Sequence, residues 1–520
     1  MSRIQNVLFI MADQLRADHL ACYGHPYIKT PNIDSLAAKG VKFKRAFVNS
    51  GVCGPSRMSY YTGRYPTTHG ATWNRVPLSV GEITMGEYLR AQDLDLVLAG
   101  KTHIMPDHEG LARLHLDGGS ELEQLLYQGG FNELDRYDGH HEPGDESGYP
   151  AYLKSKGYHS DDPWTDFVIS AINDQGEKVS GWYMRNARYP AAVHEKHSET
   201  AYMTNQAIGY LKEQGERPWV MHLSYVKPHW PYIAPAPYHN LYTIDQCLPV
   251  VRSKGEIQNA HPALAAYRQH EESQNFARYE CINTVRPAYQ GLITQLDDHL
   301  GRLFEYMDAQ GLMGNTLIIF TADHGDFLGD HWLGEKELFY DTVQKVPLII
   351  YDPRTEADST RGQSLDHMVE SVDILPTILS ALDIPIPKHR LEGRDLTPLI
   401  NNPDIVWRNQ VYSELDYSYR KARLILNKQP HNARAWAIRD EHWYYVYWMG
   451  LPEQLYDLQA DPNQMHDLGQ SHSHEHIRER FREQLLHWFT NLKTRTTVSY
   501  EAVAQGTNAH KKAGVYFGQW

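Results

Sequence analysis

The chain has 520 residues, more than one compact core holds, and a globular composition of 41% hydrophobic and 22% charged residues. Its 64 acidic and 50 basic side chains leave a net charge of −14, which argues against nucleic acid as a partner. An anionic ligand must therefore meet a local positive site against the overall field.

Residues 6–11 form a short apolar run of the kind buried in a parallel sheet, and it ends in Ala12-Asp13-Gln14. Cys53-Gly54-Pro55-Ser56-Arg57 follows. Pro55 suits the first turn of a helix, and residues 56–62 read as that helix, stopped by Gly63. Cys53 then sits at a helix N-terminus, where exposed N–H groups and the dipole favour an anion. Arg57, one turn on, is placed to bond back to it. Read alone, a free cysteine is a buried small hydrophobe, and a lone helix arginine is solvated or salt-bridged.

Residues 94–99 form a second run, ending in Gly100-Lys101-Thr102-His103. Residues 104–197 show little periodicity and read as surface loops with parts of a pocket wall, as do residues 233–285. Between them, residues 200–214 carry Ala201, Thr204, Ile208 and Leu211 on one helix face and stop at Gly215. Residues 219–226 form a third run, ending in Lys227-Pro228-His229. Leu292, Leu296, Leu303 and Met307 mark another helix, stopped near Gly311. Residues 316–320 form a fourth run before Asp323-His324-Gly325-Asp326, and residues 346–351 form a fifth with no such cluster.

Strands alternating with helices predict an α/β fold, a mainly parallel sheet sandwiched by helices. In such sheets ligands bind outside the carboxyl ends of the strands. Four of the five runs deliver Asp, Lys or His to that edge. A smaller α+β domain is expected C-terminal to it, from a strand at 443–447, a strand and turn at 455–462, and a helix at 477–492. The expected division is a catalytic domain over 1–404, a C-terminal subdomain over 405–497 and a tail over 498–520. The tail ends in Val515-Tyr516-Phe517-Gly518-Gln519-Trp520, too aromatic for a loose segment, and is expected to dock on a neighbouring subunit.

Four cysteines are too few for a disulfide framework in so long a chain. No run reaches 18 apolar residues, so no membrane span or membrane partner is expected. The first apolar run is short and gives way at once to Asp13-Gln14, unlike a leader, which points to a cytoplasmic protein. Asp13, Asp323 and His324, with the Gln14 amide oxygen, form a mostly hard donor set that suits Ca²⁺, Mg²⁺ or Mn²⁺, and the histidine tilts it toward Mn²⁺. Asp326 and Asp330 nearby read as structural. His229 would ordinarily be structural too, but its place after a strand, beside Lys227, makes it a candidate acid.

Cys53-x-Pro55-x-Arg57 is the pattern by which type I sulfatases mark a cysteine for oxidation to formylglycine. Asp13-Gln14, Lys101-x-His103, Pro228-His229-x-Pro231, Asp323-His324-Gly325 and Lys336 fall in the order and approximate spacing of that family. The chain resembles a type I (formylglycine) sulfatase of the alkaline phosphatase superfamily, in its phosphonate monoester hydrolase and choline-sulfatase-like branch. The resemblance runs from about residue 4 to about residue 470.

It implies an alkaline phosphatase-like fold and metal-dependent hydrolysis of sulfate monoesters by the hydrated aldehyde derived from Cys53. Phosphonate monoester or phosphodiester hydrolysis on the same machinery is the alternative; with sulfate esters as the better substrates, phosphonates and phosphodiesters are expected as slower side activities. It implies one divalent metal ion, Ca²⁺ or Mn²⁺, on Asp13, Gln14, residue 53, Asp323 and His324. Cys53, Arg57, Lys101, His103, His229 and Lys336 take catalytic positions. Asn74, Lys101, His229 and Lys336 take substrate-binding ones. Maturation would need a formylglycine-generating enzyme, the substrate would be a small sulfate ester, and the assembly a homo-dimer or homo-tetramer. Two departures matter. Gly54 stands where Ser or Ala is common, as in phosphonate monoester hydrolases, yet Lys101 and His103 are sulfatase-like. A non-catalytic binding protein on a decayed fold is the reading from another class, opposed by the full complement of side chains.

Overall fold

A computed structural model describes residues 3–116, 118–139, 147–518 and 520. Among the described residues the strands are β1 (Asn6–Asp13), β2 (Val41–Phe47), β3 (Leu96–Gly100), β4 (Asn132–Arg136), β5 (Ser170–Ile172), β6 (Lys178–Ser180) and β7 (Val220–Pro228), then β8 (Thr316–Ala322), β9 (Lys345–Tyr351), β10 (Ser364–Glu370), β11 (Val411–Asp416), β12 (Arg434–Arg439), β13 (Trp443–Trp448) and β14 (Gln454–Asp457). Eight form one sheet in the order β10-β2-β9-β8-β1-β7-β3-β4.

Every residue of β1, β7 and β8 is buried, so the sheet is covered on both faces, as runs without alternation require. Helices Glu199–Gln214 and Tyr279–Ala309 pack on β7 and on each other, and helix Cys53–Thr62 packs on helix Ile374–Ala381. β8, β1, β7 and β3 are sheet neighbours and mutually parallel. Their carboxyl ends therefore lie side by side, and these are the four ends at which the sequence concentrates Asp, Lys and His.

The fifth run differs in direction. β9 lies antiparallel to both β8 and β2. A parallel return needs a long crossover, whereas residues 323–344 hold only two short helical turns, so the chain doubles back beside β8. The helix expected around Leu292–Met307 begins far earlier. It runs 31 residues from Tyr279 to Ala309, with Pro287 inside it, because Ile282, Val285, Ala288 and Tyr289 extend its buried face. The two segments read as loops contain short helices, the β5–β6 hairpin and β4, which pairs with β3 at the edge of the main sheet.

C-terminal to these elements, β11 to β14 form a separate antiparallel sheet in chain order. Helix Glu475–Asn491 closes one face through Phe481, Leu485 and Trp488 against Ile438, Tyr445 and Leu455. The other face packs Tyr444, Val446 and Trp448 against Leu338, Phe339 and Tyr340, in the segment between β8 and β9. Beyond it a short helix, Tyr500–Gly506, leads to exposed Val515, Tyr516 and Phe517. No helix among the described residues is long and apolar enough to cross a membrane.

Candidate active site

Asp13 is the last residue of β1, where the register with β7 slips by a bulge, and Gln14 follows at φ 64°. Asp323 and His324 follow β8 directly, Lys101 follows β3, and His229 follows β7. Cys53 opens helix Cys53–Thr62, which Gly63 ends in a left-handed turn at φ 65°. The helix is tied to β8 by the Ser56 hydroxyl, which donates to the Asp323 carbonyl at 2.6 Å. One liganding atom from each of Asp13, Cys53, Asp323 and His324 lies within 4.8 Å of the others, and all four residues are buried.

His324 tests whether a cation fits here. Its Nδ1 lies 2.9 Å from the Gly325 carbonyl, which can only accept, so Nδ1 carries the proton. Nε2 then points a lone pair at Cys53 Sγ (3.1 Å) and at one carboxylate oxygen each of Asp13 and Asp323, both at 3.7 Å. Burial, helped by Lys336 and opposed by the two carboxylates, lowers the His324 pKa and keeps the ring neutral. A lone pair facing two carboxylate oxygens is repulsive unless a cation lies between them. The donor set therefore fits a divalent metal, with the second nitrogen fixed by a carbonyl as metal-binding imidazoles require.

Gln14 completes the set. Asp326 accepts from its Nε2 at 2.5 Å, and Tyr232 braces Asp326 at 2.6 Å, so the amide is turned with Oε1 toward Lys336 at 3.0 Å. The Lys336 ammonium donates to three atoms: Gln14 Oε1, Cys53 Sγ at 3.1 Å and His229 Nε2 at 2.9 Å. Burial works against its charge, but Cys53, Glu335, Asp13 and Asp323 outweigh burial and raise its pKa. His229 Nδ1 donates to the Trp230 carbonyl at 2.7 Å, which leaves Nε2 as the atom facing the site.

Lys101 Nζ pairs with Asp13 Oδ2 at 2.6 Å. Burial alone would raise the Asp13 carboxyl, but Lys101, His229, Arg57 and Lys336 together hold it well below the usual range. Arg57 does not bond back to Sγ. Its guanidinium donates to Asp323 Oδ2, the Lys101 carbonyl and the Ser224 hydroxyl, each at 2.8 Å, and reaches Asp13 at 3.4 Å. Two buried carboxylates are stronger acceptors than a neutral thiol. Burial, with Asp13 adding, pushes that thiol up to about 11.

Asn74 joins through the helix start: its Oδ1 accepts from the Gly54 N–H at 2.7 Å. A Cβ at position 54 would lie 2.9 Å from that oxygen and 3.1 Å from the Asn74 Cα, so glycine is what lets the two segments close. His103, at φ 57°, hangs from Asp138, whose Oδ1 accepts from the Thr102 and His103 N–H groups at 3.0 Å each. Arg136 holds Asp138 in turn, at 2.9 Å. The Lys336 loop crosses the helix start, with the Glu337 N–H donating to Gly51 at 3.1 Å, and Arg420 of the C-terminal part pairs with the Glu337 carboxylate at 2.9 Å. Asp138, Tyr232 and Arg420 were not among the candidate residues. Asp330 pairs with Arg16 and Arg286, each at 2.7 Å, away from the site atoms.

A family profile described as sulfatase matches residues 5–384, and one described as N-sulphoglucosamine sulphohydrolase, C-terminal, matches residues 329–491. The chain is 31% identical to the multifunctional alkaline phosphatase superfamily protein PehA of Trinickia caryophylli, over 96% of this chain and 98% of that one. It is 26% identical to an arylsulfatase of Clostridium perfringens, over 89% and 90%. The crystal structure of a phosphonate monoester hydrolase of Agrobacterium radiobacter superposes with a TM-score of 0.82 at 27% identity, covering 95% of this chain and 97% of that one. The chain belongs to the sulfatase family, within the alkaline phosphatase superfamily, and its enzymatic class is that of the sulfuric ester hydrolases.

Proposed function

We propose that this protein hydrolyses sulfate monoesters of small alcohols, with formylglycine made by oxidation of Cys53 as its nucleophile and one divalent cation, Ca²⁺ or Mn²⁺, in the site. The observation that carries the reading is the position of Cys53 Sγ, 3.1 Å from both His324 Nε2 and Lys336 Nζ and 3.8 Å from Asp13 Oδ1, at the first residue of a helix. A side chain there is presented to an anion by helix N–H groups and by fixed cations at once.

Asp13, Gln14, residue 53, Asp323 and His324 would hold the metal, which supplies a Lewis acid for the ester oxygens. An aldehyde hydrate at position 53 supplies two hydroxyls on one carbon, one to attack sulfur and one whose deprotonation frees sulfate by C–O cleavage. Lys336 and Lys101 bind the non-bridging oxygens and hold charge there. Arg57 fixes the carboxylates of Asp13 and Asp323 rather than the substrate. His229 presents Nε2 to the departing oxygen; that atom accepts from the Lys336 ammonium 2.9 Å away, so the leaving-group proton passes from Lys336 to Nε2 and on to the departing oxygen. His103 serves the second deprotonation, and Asn74 holds the helix start against the substrate. A formylglycine-generating enzyme would supply the oxidation. The exposed tail, with Tyr516 and Phe517, would cover a neighbouring subunit in a homo-dimer or homo-tetramer.

Phosphonate monoester or phosphodiester hydrolysis is the second reading, favoured by the His324 ligand and the likeness to the phosphonate monoester hydrolase. Sulfuryl transfer is loose and depends on leaving-group protonation, for which His229 and Lys336 are arranged. Steady-state kinetics on aryl, alkyl and sugar sulfates beside matched phosphonate monoesters decides. Sulfates should give the higher kcat/KM, and a phosphonate preferred over every sulfate would overturn the first reading.

A further inference from the structure

A hollow of about 850 Å³ lies beside the β5–β6 hairpin, walled by Trp182, Tyr183, Arg185 and Arg188 and by Arg278 and Glu280 near the start of helix Tyr279–Ala309. A row of aromatic rings in contact runs from it toward the site. The Trp182 ring meets Trp230 edge-on at 5.3 Å, and Trp230 lies 4.6 Å from the His229 ring. His229 is the side chain read as facing the departing oxygen, and the rings of Trp230 and Trp182 lie between it and the hollow.

The charges in the hollow run against those of the protein. Three arginines face one acid, Glu280, in a chain of net charge −14. None of the three forms an ion pair with a carboxylate among the described residues. The Arg185 guanidinium lies instead over the Tyr183 ring at 4.9 Å, and Arg188 over Tyr189 at 4.6 Å. A guanidinium stacked on a ring keeps its plane fixed, and its edge is a fork suited to a carboxylate or sulfate. The Trp182 ring is 42% exposed, open to stacking by a second ring.

We infer that this hollow is the subsite for the alcohol half of the ester, and that it selects a ring-bearing alcohol carrying a second anionic group. The inference rests on the reading of His229 as the group that faces the leaving oxygen. The nucleophile, metal and lysines recognise only the sulfate end, which every sulfate ester shares, so selectivity among alcohols must come from surfaces such as this one.

The test compares two esters of equal leaving-group reactivity: the sulfate of a carboxymethylphenol and that of its neutral amide. The wild-type enzyme should favour the charged ester in kcat/KM, despite the net charge of the protein. Arg185→Gln, Arg188→Gln and Arg278→Gln should lower that ratio, by about tenfold for the arginine that meets the carboxylate, the size of a charge-assisted hydrogen bond. Glu280→Gln should raise it, a gain that misfolding cannot mimic. Trp182→Ala should raise KM for both aromatic esters relative to ethyl sulfate. A wild-type ratio at or below one, or a ratio that none of the arginine variants moves, overturns the inference. So does loss of assembly by light scattering with the ratio unmoved, which would make the hollow an interface between copies. If the enzyme cleaves neither sulfate but cleaves the corresponding phenylphosphonate monoesters, the sulfate reading falls, and the same ratio on the phosphonate pair decides for the hollow.

Discussion

Lys336→Met isolates the cation that touches both the nucleophile position and His229. Methionine keeps most of the stem and removes an ammonium that donates to Gln14 Oε1, Cys53 Sγ and His229 Nε2 at 2.9 to 3.1 Å. Two consequences for folding oppose each other. Gln14 and His229 each lose a donor in a buried place, which costs about 1–3 kcal/mol apiece. The ammonium's own desolvation, several kcal/mol in such a setting, is relieved (on the order of the same total). Stability should therefore shift by only about 2 kcal/mol or less, a few degrees in the unfolding midpoint. Catalysis has no such offset. Losing one preorganised cation opposite developing charge costs roughly 10²–10³ in kcat, about 2.7–4 kcal/mol. The loss should be larger for alkyl than for nitrophenyl sulfate, because His229 Nε2 then lacks the ammonium that supplies its proton. The assay is steady-state kinetics on both esters, with thermal unfolding measured alongside. A folded variant that keeps a fifth or more of wild-type kcat on the poor leaving group refutes the placement of the ammonium against the transferred group.

Cys53→Ala should fold normally, since the side chain is small and buried, yet lose essentially all turnover; mass analysis of the wild-type peptide should show sulfur replaced by an aldehyde oxygen. Burial, with Arg64 and Arg57 respectively assisting, pushes His69 and His222 down to about 3. In the unfolded chain both titrate near 6.5, so below that pH the unfolded state binds more protons. Their contribution is present above ~6.5 and falls as pH drops toward ~3, by about 1.4 kcal/mol per pH unit for each. His222→Gln should lose one such increment from the slope of acid unfolding relative to wild type, and parallel slopes would refute it. Deleting residues 498–520 should lower the particle mass seen by light scattering, and an unchanged mass would remove the tail from the assembly.

What the sequence made legible was the edge of the sheet. Asp13, Lys101, His229 and Asp323 could be placed because each follows a short apolar run, and parallel strands put such ends together. Position 53 was legible from Pro55 and Gly63, which mark the start and stop of its helix. Lys336 follows no strand, and only the resemblance singled it out. The direction of β9 depends on how the 323–344 segment folds back, for which no periodic signal exists. Arg57 was placed correctly on the helix, but its partners come from β1, β3, β7 and β8, and no spacing along one chain segment reveals four long-range acceptors. Asp138, Tyr232 and Arg420 escaped for the same reason. Each is an ordinary polar residue whose role is set by a partner distant in sequence: His103, Gln14 or Glu337.

Those partners explain how an acidic protein keeps a positive site. Arg57 and Lys101 pair with the two fully buried carboxylates Asp13 and Asp323, and Lys336 adds a third fixed cation beside them, so these charges favour an anion before any metal is counted. Other acids lie close enough to cancel that excess. Burial raises the pKa of Asp326 and pushes Glu335 up to about 7, which weakens both as counter-charges. Burial raises the pKa of Glu337, the other neighbour of Lys336, as well, and here a cation also takes part. At φ 95° its backbone turns the carboxylate away, and Arg420 takes it at 2.9 Å. Lys336 is thereby left to Gln14, residue 53 and His229. The connection between β11 and β12 thus reaches the chemistry without touching it: by occupying one glutamate, it leaves the positive field of the lysine beside it for an anion.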